Sequence, residues 1–375
     1  MKARTDLIVI GGGLHGLSAA LQSARRGLHV VLLEGAFTGR HASGATAAGV
    51  RSLNRAVEEL PLSLEAQAQW EDMTALVGDD CGFHAGGQVQ VAMDAEAEAR
   101  IKARIARLEA MGMRHECWIG PDRLAELVPV MQPGALGAAH VARDGSADPH
   151  RTIRAFRAAC LDAGVEILED HPVTWLARDG SYWSVVAGGT THVAPKVVNA
   201  AGAWGRQIAK LAGDPLDVGI KNSMMIVTER CEPCLGPVIS AQNRKLSFKQ
   251  TADGTFLIGG GVQGRLRSGG GLASVDFGAL SGAMSTTLAL FPWVADLRLV
   301  RAWAGMEAAT ADLLPVIGPS HRAPGLIHVF GFSGHGFQLV PSVGRVIADL
   351  AETGRTRTEL SAFDPGRLAT NRKAA

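Results

Sequence analysis

Three glycines and one glutamate carry the clearest chemistry in this chain. Gly11, Gly13 and Gly16 stand in the pattern G-x-G-x-x-G, between the apolar run Leu7 to Ile10 and a stretch with helical spacing, Leu14, Leu17, Ala20, Leu21 and Ala24. Glycine permits a tight turn at the first position and lets backbone approach a pyrophosphate at the second; at the third it lets helix and strand pack closely. A helix starting here turns free N–H groups and the positive end of its dipole toward phosphates. Glu34 closes a second apolar strand, His29 to Leu33, where a carboxylate accepts both hydroxyls of an adenosine ribose. Strand, helix, strand and acid together indicate a bound dinucleotide. A glycine-rich turn without a ligand does not account for Glu34.

Other segments carry weaker signals. Gly259-x-Gly261-x-x-Gly264 repeats the glycine spacing, but RLRSGGGLASVD after it is too glycine-rich for a helix and no strand ending in an acid follows. It reads as an irregular strand end. Residues 40–51, RHASGATAAGVR, combine small side chains with Ser43 and Thr46; they suit close passage past a phosphate and a planar ring, or a plain flexible loop. In GFSGHGFQLVPSVG, residues 331–344, three glycines flank Ser333 and His335 just before a helix. A helix N-terminus there stabilises negative charge developing on a ring, and His335 is either part of that site or a structural histidine. Cys231 and Cys234 form C-x-x-C, yet no second such pair or spaced histidine pair completes a metal site, so they read as a turn around Pro233.

The elements that position these residues follow from periodicity. The opening is a β-α-β unit. Helices are expected near 63–78, 95–112 and 150–164, the last feeding the short strand VEILED. Residues 180–202 read as a hairpin with a glycine turn and then a buried strand. Segments 219–229 and 246–259 read as antiparallel strands, with Asp253-Gly254 as a tight turn. The last third holds the strand IHVF, the loop GFSGHGF and a helix over PSVGRVIADLAETG. Parallel α/β patterning at both ends with antiparallel material between implies two domains sharing a chain that crosses between them more than once.

Composition narrows the function classes. The chain has 375 residues, 47% hydrophobic and 19% charged, a balance that supports a substantial core. Its net charge of +1, without polybasic runs, gives no electrostatic basis for binding nucleic acid or an anionic membrane surface. No apolar run approaches a membrane span, and Leu7 to Ile10 is too short for a secretion signal, so a soluble cytoplasmic enzyme is expected. Five cysteines scattered over the chain argue against a disulfide framework.

Taken in order, these segments resemble the FAD-dependent amino-acid and amine oxidoreductases related to D-amino-acid oxidase, glycine oxidase and sarcosine oxidase. The resemblance covers nearly the whole chain. It rests on GGGLHG with Glu34, ASGATAAGVR, ADPHR at 147–151, Val173 in HPVTWL, VVNAAGAW at 197–204, WAGMEAATADLLPVIGP at 303–319 and GFSGHGF. It is nearest in flavour to bacterial dehydrogenases of D-hydroxyproline, opines and related secondary amines, whose catalytic subunits often work in hetero-oligomers with electron-transfer subunits.

The resemblance implies a Rossmann-like FAD-binding domain with a mixed, mainly parallel sheet, over 1–80, 145–215 and 298–375. An interleaved α+β antiparallel-sheet substrate domain would take 81–144 and 216–297. It places the adenosine end of FAD against Gly11, Gly13, Leu14, His15, Gly16 and Glu34, with Val173 beside the adenine. Ser43, Thr46 and Gly49 would line phosphates and ring, Gly202 a wall nearby, and Gly334, His335, Gly336, Phe337 and Gln338 the ribityl chain and pyrimidine edge. Two positions depart from the family: Ala45-Thr46 stands where Arg-Asn is frequent, and Glu307 where glycine-oxidase-like members carry an arginine for the substrate carboxylate. Arg51 is the replacement candidate. Glu307 either faces a substrate cation or pairs with a neighbouring basic side chain, the second being preferred. No cysteine lies between Trp303 and Gly318, where monomeric sarcosine oxidases attach their flavin, so FAD is expected to be non-covalent.

The implied reaction is hydride transfer from the α-carbon of an amino acid or secondary amine to flavin N5, giving an imine that hydrolyses. Positioning and a dry site suffice for such chemistry, with Arg51 holding a carboxylate and His335 polarising the flavin edge. Two rival readings are oxidation of a 2-hydroxy acid, and a flavin-binding subunit without independent activity.

Overall fold

The structure, a computed structural model, describes residues 5–267 and 272–370. Two large sheets organise it. The first has six strands in the order Val316–Pro319, Leu326–Phe330, Lys196–Asn199, Leu7–Ile10, Val30–Leu33 and Glu166–Leu168. Every neighbouring pair in it is parallel except Val316–Pro319 against Leu326–Phe330. Strands buried on both faces need unbroken apolar runs, which is why LIVI, VVLL and LIHVF are buried throughout. One face packs under the helices Leu14–Ala24, Pro149–Asp162 and Gly336–Thr353. The other meets the three-stranded antiparallel sheet formed by Val173–Asp179, Tyr182–Ala187 and Thr190–Ala194.

The second sheet has eight strands, in the order Leu299–Ala309, Gly219–Arg230, Thr255–Gly259, Arg244–Gln250, Val238–Ala241, Gln88–Ala92, Gly137–Val141 and Cys117–Ile119. All its pairings are antiparallel except Val238–Ala241 against Gln88–Ala92. Alternation governs its two faces. Phe248, Phe256 and Ile258 point to a core shared with Phe291 and the helix Phe277–Leu290, where the Phe248 and Phe256 rings stack with centroids 4.7 Å apart. Met225, Ser247, Lys249 and Trp303 alternate to the opposite face, toward the first sheet.

Local signals account for most boundaries. Asp94 and Asp148 cap the helices Ala95–Ala110 and Pro149–Asp162, each side chain accepting a backbone N–H at 2.7 Å. The helix expected near 63–78 is instead two, Leu60–Trp70 and Met73–Val77, because Asp72 leaves helical geometry and its carboxylate caps the second by accepting from Ala75 N. The last helix starts at Gly336, five residues before Pro341. Side chains of the first helix dock on this stretch: Ser18 Oγ donates to Val340 O and Gln22 Nε2 to Pro341 O. Beyond Gly259 the strand ends without a helix up to 267, as expected of the second glycine motif; its serine–glycine run, 268–271, lies outside the described residues. Among the described residues no helix is long and apolar enough to cross a membrane.

Candidate functional site

A cavity of about 450 Å³ opens along the carboxyl ends of the parallel strands and reaches the edge of the eight-stranded sheet. Open α/β sheets bind ligands at this end, where loops and helix N-termini converge. Gly11, Gly13, Leu14, His15, Glu34, Ser43, Thr46, Val173, Gly202, Glu307, Gly334, Gly336 and Phe337 all line it. The structure thus brings together residues from the whole length of the chain. Gly16, Gly49, Arg51, His335 and Gln338 are not among the lining residues.

The first turn explains its own glycines. Gly11 has φ +110°, and a Cβ there would lie 2.4 Å from Ala200 O. A Cβ on Gly16 would lie 1.9 Å from Gly11 O, so this residue acts by close packing rather than by lining the cavity. Gly13, at the N-cap of the helix that follows, has no side chain to cap it, and Ser43 Oγ accepts from Leu14 N at 3.0 Å. Glu34 accepts from Gly12 N at 2.7 Å and from Ala36 N at 2.9 Å, which holds its carboxylate at the cavity wall.

His15 anchors this turn to the far end of the chain. Its ring stacks on Phe332 at 3.7 Å with planes 1° apart, and Nε2 lies 3.0 Å from Gly336 O. Burial drives its pKa down to about 3, so the imidazole is neutral. With Nε2 donating to that carbonyl, Nδ1 is an acceptor, buried and without a partner among the described residues. A polyol hydroxyl suits it. This orphaned acceptor, the bare backbone at Gly13, the helix N-terminus and the Glu34 carboxylate together fit a dinucleotide carrying a ribityl chain.

At the other end stands Glu307. Ser223 Oγ donates to its Oε1 at 2.5 Å and Gly334 N–H supports it, while burial holds its pKa above the usual carboxylate value. Lys221 lies directly opposite in the sheet register and its charge draws the Glu307 pKa down, though among the described residues the two form no close ion pair. Of the two readings of Glu307, the described residues show a charge interaction with a basic neighbour without direct contact. Trp303, on the same strand, donates Nε1 to Ala45 O at 2.9 Å and ties this strand to the 40–51 loop. That loop contains a one-turn helix, Ala42–Ala45, and the short strand Gly49–Val50.

The remaining candidates belong to a polar cluster behind the cavity. Arg51 Nη1 donates to Leu53 O at 3.0 Å, and among the described residues the half-buried guanidinium joins no ion pair. Asp144 pins the segment after it by accepting from Ser52 N, Ser52 Oγ and Leu53 N, each at 2.8 Å. Arg55 is buried; it donates to Arg51 O, His335 O and Gln338 Oε1. Gln338 also accepts from Ser63 Oγ and donates to Ser63 O, so its side chain faces the helix Leu60–Trp70. His335 Nδ1 lies 3.6 Å from Glu59 Oε1, and burial lowers its pKa. Sequence reasoning missed Arg55 and Glu59, whose i,i+4 spacing resembles a surface pair. It also missed His41, Trp204 and Phe332, which line the cavity and lie within the quoted segments RHASGATAAGVR, VVNAAGAW and GFSGHGF but were not singled out there.

The comparisons agree with this geometry. The model of the DAO family, described as FAD dependent oxidoreductase, matches residues 6–350. An opine oxidase subunit of Rhizobium meliloti is 25% identical, the match covering 97% of each chain. Glycine oxidase of Bacillus subtilis (strain 168) is also 25% identical, over 93% of this chain and 94% of that one. Among solved structures, L-proline dehydrogenase from P. horikoshii superposes with a TM-score of 0.90 at 24% identity, covering 98% of both chains. With a turn, acid and cavity fitted to a dinucleotide and a family match spanning nearly all of it, this chain belongs to the FAD-dependent oxidoreductases of the DAO family.

Proposed function

We propose that the chain oxidises an amino acid or secondary amine of the opine, hydroxyproline, D-amino-acid or sarcosine kind at the carbon next to nitrogen. The observation that carries this reading is the cavity, which runs from the Glu34 carboxylate to the strand bearing Glu307, where the two sheets meet. When bound, FAD supplies the hydride acceptor, and the resulting imine hydrolyses. In this reading Gly11 to Gly16, Glu34, Ser43, Thr46 and His15 hold the cofactor without a covalent bond. None of the five cysteines lines the cavity, which supports dissociable FAD. Arg51, free of any ion pair among the described residues, holds a substrate carboxylate. His335, kept neutral by burial, polarises the site from behind the Gly334 to Gly336 turn. The names of the opine oxidase, glycine oxidase and proline dehydrogenase relatives support a nitrogen-bearing substrate.

The proposed division assigns 1–80, 145–215 and 298–375 to FAD and 81–144 and 216–297 to substrate. The strand Leu299–Ala309 is where they interleave, since it lies on the eight-stranded sheet yet lines the cofactor cavity with Met306 to Ala308. A relative named as a subunit supports assembly with electron-transfer partners. Unpaired cysteines support a cytoplasmic location.

Anaerobic mixing of the FAD-loaded protein with a panel of amino acids, opines and secondary amines tests the proposal. Bleaching of the flavin absorbance by at least one of them is expected. Bleaching by 2-hydroxy acids alone, or by nothing in the panel, overturns it. Bleaching restored only by a co-encoded partner identifies a chain that needs its complex.

A further inference from the structure

Lys249 is 5% exposed, and among the described residues its ammonium makes no hydrogen bond and no ion pair, yet it is not fully enclosed and so keeps an opening to solvent. A buried cation without a partner is expensive, so its placement needs a reason. Its position follows from the sheet register. Phe248, its neighbour, points into the aromatic core with Phe256 and Phe291. Lys249 therefore points to the other face, in one row with Leu257, Val227 and Arg301. Next to that row come Ser247 opposite Gly259, and Met225 opposite Trp303. Trp303 is hydrogen-bonded to Ala45 of the loop that lines the cofactor cavity. The face bearing Lys249 is thus the one from which Trp303 reaches the 40–51 loop, although Lys249 and Gln88 do not themselves line the cavity.

A second group on this face is also unsatisfied. Val238 pairs with Gln88, and Ile239, beside it, pairs with Phe248, which places Gln88 two strands from Lys249 and on the same side. Gln88 is 4% exposed and its Oε1 is buried without a hydrogen-bond partner among the described residues. A cation lacking an anion and a carbonyl lacking an N–H donor share one interior surface. The one charge that bears on Lys249 is Asp148. Its Oδ1 is engaged at a helix N-terminus, accepting from Arg151 N, and it forms no ion pair with Lys249. Gln250, the next residue, fixes the strand by accepting from Cys234 N and Leu235 N at 2.8 and 3.1 Å.

We propose that Lys249 and Gln88 form a substrate subsite on the floor of the eight-stranded sheet, where Lys249 takes a carboxylate and Gln88 Oε1 an N–H. The subsite deepens the proposed function by requiring a carboxylate-bearing nitrogen compound, and it rests on that reading. It is an alternative to Arg51 for that carboxylate, not a second holder of it: Arg51 follows the short strand Gly49–Val50, whereas Lys249 lies on the sheet itself.

Pyrrole-2-carboxylate tests the subsite without turnover, because it carries both groups and has no oxidisable hydrogen next to nitrogen. The FAD-loaded wild type, Lys249→Met and Lys249→Arg are titrated with it and with neutral pyrrole-2-carboxamide, following flavin absorbance; bound FAD is measured alongside. Lys249→Met should weaken the carboxylate roughly tenfold to a hundredfold, the weight of one charge-assisted hydrogen bond, with FAD content unchanged. The amide should bind both proteins alike, and Lys249→Arg should recover part of the carboxylate affinity. Equal carboxylate affinity in wild type and Lys249→Met overturns the subsite, as does an equal loss for the amide or a wild type that does not respond. A Lys249-dependent response in a protein that no amine reduces would keep the subsite and discard the amine reaction.

Discussion

Glu59 Oε1 lies 3.6 Å from His335 Nδ1 and 3.7 Å from Arg55 Nη1, and none of these three buried atoms has a hydrogen-bond partner among the described residues. One buried carboxylate thus faces a guanidinium and an imidazole at once. Arg55 in turn carries the backbone of His335 and the side chain of Gln338, so the cluster supports the turn that borders the cavity.

Removing the carboxylate leaves Arg55 buried without its counter-charge. Glu59→Ala should cost about 3–5 kcal/mol, as for other broken buried pairs. Urea unfolding of wild type and variant measures it. Replacing Glu59 and Arg55 together by apolar residues should cost less than Glu59→Ala alone.

The same cluster gives stability a pH signature. Burial lowers the His335 pKa first; Glu59 raises it in part, Arg55 and Arg51 lower it again, and the net shift is downward. As pH falls below the ordinary value of 6.5, the unfolded chain binds a proton there that the folded chain refuses. Stability is therefore lost as pH falls from 6.5 toward the folded value. His335→Gln should flatten the unfolding free energy in that window and leave it unaltered above pH 7. An unchanged slope would show that another group governs it.

Lys249 shifts in the same direction but at the other end of the pH scale. Burial lowers its pKa from 10.5 to about 8, so folding at neutral pH carries the cost of an unpaired cation. Between those values the unfolded chain holds more protons, and stability rises with pH. Lys249→Met should stabilise the protein by about 1–3 kcal/mol at pH 7, with the gain shrinking as pH rises through that range. A residue that weakens the fold while serving a ligand behaves in this way. Thermal unfolding across pH reads it.

At the adenosine end, Glu34→Gln keeps the shape of the side chain and loses the charge. Its FAD affinity should fall roughly tenfold, the share of a charge-assisted hydrogen bond. Gly16→Ala should do more, since its Cβ would lie 1.9 Å from Gly11 O and displace the whole turn. The ratio of flavin to protein absorbance after gel filtration ranks the two.

Much of this was legible in the residues. The β-α-β unit, Glu34 and the terminal glycine loop were readable because each needs particular residue types at short spacing, and local backbone geometry sets those needs. The antiparallel strands around Asp253 and Gly254 were readable for the same reason, with Gly254 at φ +83° in the turn. Where the helix near 63–78 breaks was not, since Asp72 can continue a helix or cap one and only packing chooses.

By itself the sequence determined the kind of ligand and the class of fold, because both are written in local patterns of glycine, apolar spacing and one acid. Only the tertiary structure decided the partners of the charged side chains. Arg55 and Glu59 have the spacing of a solvated pair yet lie buried, and Gln338 sits in a cavity motif yet turns away from the cavity. Lys249 is one basic residue among 37 until the register of the sheet sets it on an interior face, where Asp148 acts on it without forming an ion pair among the described residues. The electrostatics of a buried group depend on what long-range packing brings against it, and no spacing along the chain encodes that distance.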